Sequence, residues 1–174
     1  MNKHTKQKME DSIRNFRLPR YAELPNNGLY LEQTVQYINQ YMEPLGWPAI
    51  TGSMISNYVK NGVILGPVKK QYYAEQIAHI MAIAIIKRVV SLENICQLFQ
   101  MQREVYTVQV AYDYFCSELE NMLYYSFGIR DNMEAIGNTQ SDIKTMLRGT
   151  IIAVSYIIYL NTCFQAIQNE DEPE

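Results

Sequence analysis

Apolar residues recur three and four positions apart along most of this chain, the spacing of helices with one buried face. In residues 30–42 the row is Leu31, Thr34, Val35, Ile38, Tyr41 and Met42, and Pro44, Gly46 and Pro48 end it. Trp47 sits in that break and is expected to plug the corner between two helices. Thr51 or Ser53 offers a cap for the next helix. Its residues Met54, Ile55, Tyr58 and Val59 are expected inward and Ser53, Ser56, Asn57 and Lys60 outward. Gly62 stops it after about three turns, where a left-handed residue is cheap.

Residues 63–65 and 71–73 read as two short extended pieces, separated by Gly66-Pro67 and Lys69-Lys70, which predicts a small two-stranded wing. Residues 74–90 are apolar nearly all round and predict a buried helix; Ser91 caps another, reaching to about Arg103. Val105, Val108, Tyr112, Phe115, Leu119 and Met122 then follow at spacings of three and four, a heptad seam. A helix of the same chain or a second copy would satisfy it equally. Gly128 ends that helix, and GIRDNMEAIGNTQS reads as a loop. Thr139 or Ser141 begins the last helix, to about Ile167. Its apolar stretch GTIIAVSYIIYL runs only twelve residues without a charge or amide. A bilayer span needs about twenty, so a core helix and no membrane are expected.

At the other end, residues up to Asn15 form a polar arm or frayed helix, and FRLPRYAELPNNGLY an ordered, irregular connector. The tail NEDEPE is acidic and expected to be mobile. This gives an arm and connector over 1–29, a helix–wing unit over 30–103, a helical region over 104–168 and a tail over 169–174.

Composition narrows the function. With 174 residues and 48% hydrophobic content the chain can bury a sizeable core. Lys3, Lys6, Lys8, Glu10, Asp11, Arg14 and Arg17 interrupt any secretory apolar segment, so a cytoplasmic location is expected. Cys96, Cys116 and Cys163 lie far apart with only His4 and His79 as imidazoles, which gives no zinc spacing; buried thiols are expected, with a sensor thiol as the alternative. No phosphate loop, metalloprotease motif or nucleophile elbow is present, so no cofactor and no enzyme are expected. Glu118 and Glu120 point different ways, and Glu104, Asp113 and Glu134 read as solvated carboxylates.

The net charge of −3 divides unevenly. Residues 50–90 carry Lys60, Lys69, Lys70, Lys87 and Arg88 against Glu75 alone, a balance of +4; residues 1–22 are also at +4, and everything from Ser91 onward sums to −8. The first half is the one suited to a polyanion. Of fourteen tyrosines, Tyr106, Tyr112, Tyr114, Tyr124, Tyr125, Tyr156 and Tyr159 lie in the second half, where they can pack or line a ligand pocket.

The order helix, corner, short polar-faced helix, wing, buried helix, capped helix resembles a winged helix-turn-helix of the MerR type. MISNYVKNGVI resembles its second helix and glycine stop, with Tyr58 and Gly62 on the matching positions, and KKQYYAEQIAHIMAIAIIKRVVSLENICQLF resembles the wing exit and the two helices after it. Two departures stand out: Ser56-Asn57-Tyr58 replaces the usual arginine and two tyrosines, and PLGWPAI is longer than the usual turn. With LPRYAELP and ITGSMISNYVKNGVI, the chain also resembles an uncharacterised bacterial family, domain of unknown function 1836, over about 16–165.

The resemblance implies a mainly helical, all-α fold with a small wing, followed by a region for dimerisation and effector sensing. It implies a sequence-specific regulator of transcription that binds duplex DNA as a homodimer, with a small-molecule effector as a further partner. The alternative is a winged module used for protein–protein recognition. The expected DNA contacts are Thr51, Ser53, Ser56, Asn57, Lys60, Lys69, Lys70 and Tyr72, and the expected dimer seam is Val105 to Met122.

Overall fold

The computed structural model describes residues 2–134 and 141–170. Among the described residues, seven α-helices and one two-stranded antiparallel sheet succeed one another as α1 (Lys3–Arg14), β1 (Leu29–Tyr30), α2 (Leu31–Met42), α3 (Gly52–Lys60), β2 (Gln71–Tyr72), α4 (Ala74–Ile86), α5 (Leu92–Val105), α6 (Val108–Ser126) and α7 (Asp142–Glu170). The fold is all-helical apart from that sheet. The expected starts at Thr139 and the end of the acidic tail fall outside the described residues.

The two strands enter their helices by the same device. The backbone N–H of Tyr30 donates to Gln33 Oε1 and that of Tyr73 to Gln76 Oε1, each at 2.9 Å, so a glutamine in the first turn satisfies an otherwise unpaired donor. Leu29 pairs with Tyr72 and Tyr30 with Gln71. This corrects the expected wing. The partner of residues 71–72 is the strand before α2, and Val63 and Ile64 are both buried at 3% exposure. Consecutive burial does not fit a small wing strand with one face in solvent, because side chains of a strand alternate faces. These two residues continue a helix stop instead: Gly62 N–H donates to Val59 O, Val63 N–H donates to Tyr58 O, and Gly62 takes φ +68°. What remains of the wing is a tight turn in which Val68 and Gln71 exchange two 2.9 Å backbone bonds around Lys69 and Lys70.

The corner between α2 and α3 is long but braced. Gly46 turns left-handed after a short 3-10 segment, and Asn39 of α2 holds both backbone groups of Ile50, accepting from its N–H at 2.8 Å and donating to its carbonyl at 3.0 Å. Trp47 fills the corner as expected, and its Nε1–H reaches the carbonyl of Ala84 at 3.0 Å.

Eleven of the thirteen residues of α4 are buried, and it touches α2, β2, α6 and α7. Along α6 the expected seam is broken and turned inward. Val105 ends α5 and is exposed, Thr107 caps a new helix at Val108, and Tyr112, Phe115, Leu119 and Met122 are all buried within this chain. Their partners are α4 and above all α7. The α6 seam is therefore an intrachain contact, because the chain's own last helix covers it.

By length and composition α7 is the one helix among the described residues that could cross a membrane. It buries Ile151, Val154, Ser155 and Ile158 in the core and leaves Met146, Tyr156, Leu160, Phe164 and Ile167 outside.

The connector is strapped to α6. The Arg20 guanidinium meets the Glu120 carboxylate through two 2.7 Å bonds, Leu18 N–H donates to Glu120, Tyr21 N–H donates to Asp113, and Tyr124 O–H donates to Phe16 O. Glu118 is fully buried with Arg148 Nε 2.9 Å away. Asp113, Glu118 and Glu120 are thus structural groups, not solvated ones. The polar arm is also part of the body, since Met9 and Ile13 of α1 are buried.

Candidate nucleic-acid interface

Thr51 caps α3, its Oγ1 accepting from Met54 N–H at 3.3 Å, and the nine-residue helix buries only Ile55 and Tyr58 fully. Ser53, Ser56, Asn57 and Lys60 are exposed as expected. Met54, expected inward, stands out at 36% exposure, with Lys87 at the end of α4 beside it. Lys87 Nζ lies 3.3 Å from Met54 Sδ and donates to the Tyr58 hydroxyl at 3.1 Å. Tyr58 is therefore a strut between α3 and α4.

The outward row of α3 forms one side of an open groove. Gly52, Ser53, Ser56, Asn57 and Lys60 face Leu31, Glu32, Val35 and Gln36 of α2 across it. A Cβ on Gly52 would come within 3.1 Å of Leu31, so glycine there lets the two helices approach. Asn57 is pre-oriented: its Oδ1 accepts from Asn61 Nδ2 at 2.9 Å, which fixes the amide plane on the groove side chain row.

Beyond α3 the chain passes Gly66, against Val59, and reaches the turn. Lys69 (φ +48°) and Lys70 (φ +66°) are the only non-glycine residues with positive φ among the described residues. Two left-handed centres in succession define the turn type that usually takes Asn-Gly. Here both are lysines, both exposed. Tyr72 does not join them. It points into the core at 4% exposure, and burial raises its hydroxyl pKa, so the contact expected of it is withdrawn.

Of the five cations in residues 50–90, two are spent internally. Lys87 braces Tyr58, and the Arg88 guanidinium lies 5.1 Å from the Trp47 ring. Lys60, Lys69 and Lys70 remain outward, the charge this unit can offer a partner. Sequence reading missed the role of Lys87, whose spacing of 29 residues from Tyr58 carries no local signal.

No group of three or more His, Cys, Asp or Glu side chains suited to a metal occurs among the described residues. The Cys116 thiol is pushed up to about 12 by burial, so it is a poor nucleophile.

No curated protein and no solved structure matches the chain. The sequence model of one family, described as a domain of unknown function, DUF1836, matches residues 19–115, which spans the connector, the helix–turn unit, α4, α5 and the first half of α6. A match over more than half of the chain shows that this protein belongs to the DUF1836 family.

Proposed function

We propose that this protein is a duplex-DNA-binding regulator, a binding protein and not an enzyme, that lays α3 in a major groove and sets the Lys69-Lys70 turn on the adjoining backbone. The resemblance to MerR-type winged helix-turn-helix units points the same way. The observation that carries the reading is the turn itself. Two lysines occupy backbone positions that cost an L-residue about 1 kcal/mol or more each, where Asn-Gly would be cheaper. Holding two ammonium groups at an exposed tip is a function that offsets such a cost. Along α3, Ser53, Ser56 and Asn57 supply donors and acceptors for base edges, and Lys60 a phosphate contact.

Pairing of two copies, which a two-half-site reading needs, is assigned to the outer strip of α7 in place of the α6 seam. No charged residue lies between Arg148 and Glu170, and Ala153, Tyr156, Leu160, Phe164 and Ile167 follow at helical spacings. Met146, Tyr156, Leu160, Phe164 and Ile167 stand about half out, an exposed apolar strip of the kind that marks an interaction surface.

A second reading has its own support. Leu65 and Val68, beside the lysine turn, are exposed at 54% and 55%, an apolar pair suited to a protein partner. Fluorescence anisotropy on labelled duplexes over a salt series separates the two. The DNA reading expects binding that weakens steeply with salt, and a slope reduced by about two in the Lys69→Ala, Lys70→Ala double variant. Absence of any salt-dependent binding overturns it in favour of the protein partner.

A further inference from the structure

Where α4, α5, α6 and α7 meet, the fold holds a cavity of about 270 Å³. Ala82 and Ile86 of α4, Leu98 and Phe99 of α5, Phe115 of α6 and Leu147 of α7 form much of its wall. The lining grades from buried residues through half-buried Leu147 to Val110, which is 54% exposed, so the cavity has an open side that includes Val110 near the start of α6. An apolar hollow in a core is ordinarily costly, since each void forfeits contacts that packing would supply.

Several polar side chains interrupt the apolar wall, His79 and Gln102 among them. His79 is 4% exposed, packs with its ring 4.6 Å from that of Phe99 and tilted 44° to it, and has no hydrogen-bond partner at either ring nitrogen. Buried polar groups are normally paired, and an unpaired imidazole in a core is an exception that calls for a reason. Burial and nearby Arg103 lower its pKa to about 4, so near neutral pH the ring is uncharged, with one N–H donor and one acceptor. Gln102, also in the wall, donates through Nε2 to the Tyr106 carbonyl, which leaves Oε1 as an acceptor. The Tyr112 hydroxyl, also in the wall, is likewise buried with no hydrogen-bond partner and offers a further polar group to an occupant.

We propose that this cavity is a binding site for an uncharged, largely aromatic small molecule of one or two rings bearing one hydrogen-bonding group, a phenol or similar hydroxyl, which His79 and Gln102 receive. Size sets the ring count: a cavity of about 150 Å³ holds benzene, and this one is nearly twice as large. Charge sets the class. The lining contains no carboxylate to receive a cation, and its one charged side chain, Lys144, sits with Nζ 5.1 Å from the Tyr114 ring. The site lies between α4 and α5 on one side and α6 and α7 on the other, includes no residue of α3, and stands whether or not α3 meets DNA.

Titration of the full-length protein with 2-naphthol and with naphthalene, followed by calorimetry and by thermal melting, tests the assignment. The expected result is saturable one-to-one binding of 2-naphthol, tighter than naphthalene, with a rise in Tm that grows with ligand concentration. His79→Phe keeps the ring and its packing on Phe99 and removes the hydrogen bond. It should weaken 2-naphthol about tenfold and leave naphthalene unchanged. Val110→Trp, at an exposed position that folding tolerates, should narrow the mouth and weaken both probes. The proposal is overturned if neither probe saturates the wild-type protein, or if 2-naphthol binds both variants as tightly as it binds the wild type.

Discussion

The α3 unit and the α6 region spend their charges in opposite ways. Around α3, Lys60, Lys69 and Lys70 reach into solvent with no acidic partner, and two of them sit on strained backbone to do so. Around α6, the acids turn inward: Glu120 holds Arg20, Glu118 lies against Arg148, and Asp113 receives Tyr21 N–H. A sequence tally counts all of these alike. The contrast teaches that charge in the first region is left facing solvent, whereas charge in the second fixes the chain to itself.

The strongest way to break the contrast is to put a charge where α6 has none to spare. Leu119→Glu would bury an unpaired carboxylate between α6 and α7, at a cost above about 4 kcal/mol. Loss of the cooperative thermal transition is expected; a folded, soluble monomer by sedimentation would return the seam to an interface between copies.

Next comes His79. Its folded pKa, about 4, lies below the unfolded value of about 6.5, so the unfolded chain binds the extra proton first. Stability tied to this residue is complete above pH 6.5 and is lost as pH falls through the window to 4, about 3 kcal/mol in all. Buried Glu118 has its pKa raised, chiefly by desolvation, and acts in the opposite sense, so the informative quantity is the difference from His79→Phe. Urea melts from pH 7 to 4 should show the wild type losing ground to that variant.

A smaller loss is expected at the strap. With side-chain exposures of 27% and 12%, the Arg20–Glu120 pair is partly shielded from water, and Arg20→Ala should cost about 2 kcal/mol by leaving Glu120 half-satisfied. A double-mutant cycle with Glu120→Gln isolates the pair; no coupling would make it a solvated surface contact.

The smallest effect carries the opposite sign. Lys69→Asn with Lys70→Gly should stabilise the fold by about 1 kcal/mol, since the turn then holds residues that accept positive φ. The same variant should lose DNA affinity. Stability and binding moving apart would show that the lysines are kept for what they touch.

Much of the helical order was legible. The caps at Thr51 and Ser91, the stop at Gly62, the corner plug at Trp47 and the buried α4 all rest on local chemistry, and each stands where the sequence places it. What failed was non-local. Nothing near residue 71 announces that its partner is residue 30, and a heptad row cannot say whose helix covers it. The break at Tyr106–Thr107 was hidden because Val105 and Val108 keep the spacing across it. The outward row of α3 was legible from its period, while Tyr72 misled because strand alternation turns it inward and Tyr73 half-out. His79 gave no signal at all: in an apolar run it reads as one more core residue.

The strap on α6 also sets a schedule. Tyr21, Arg20 and Leu18 wait for partners 92, 100 and 102 residues later, and Phe16 for one 108 residues on. At about 5 to 20 residues per second of synthesis, that interval is roughly 5 to 20 s, far longer than a helix needs to form. Through it Leu18 and Leu24, nearly inaccessible in the finished fold, travel uncovered. The connector is thus among the last parts of this fold to be sealed, and the nascent chain offers a chaperone a foothold there.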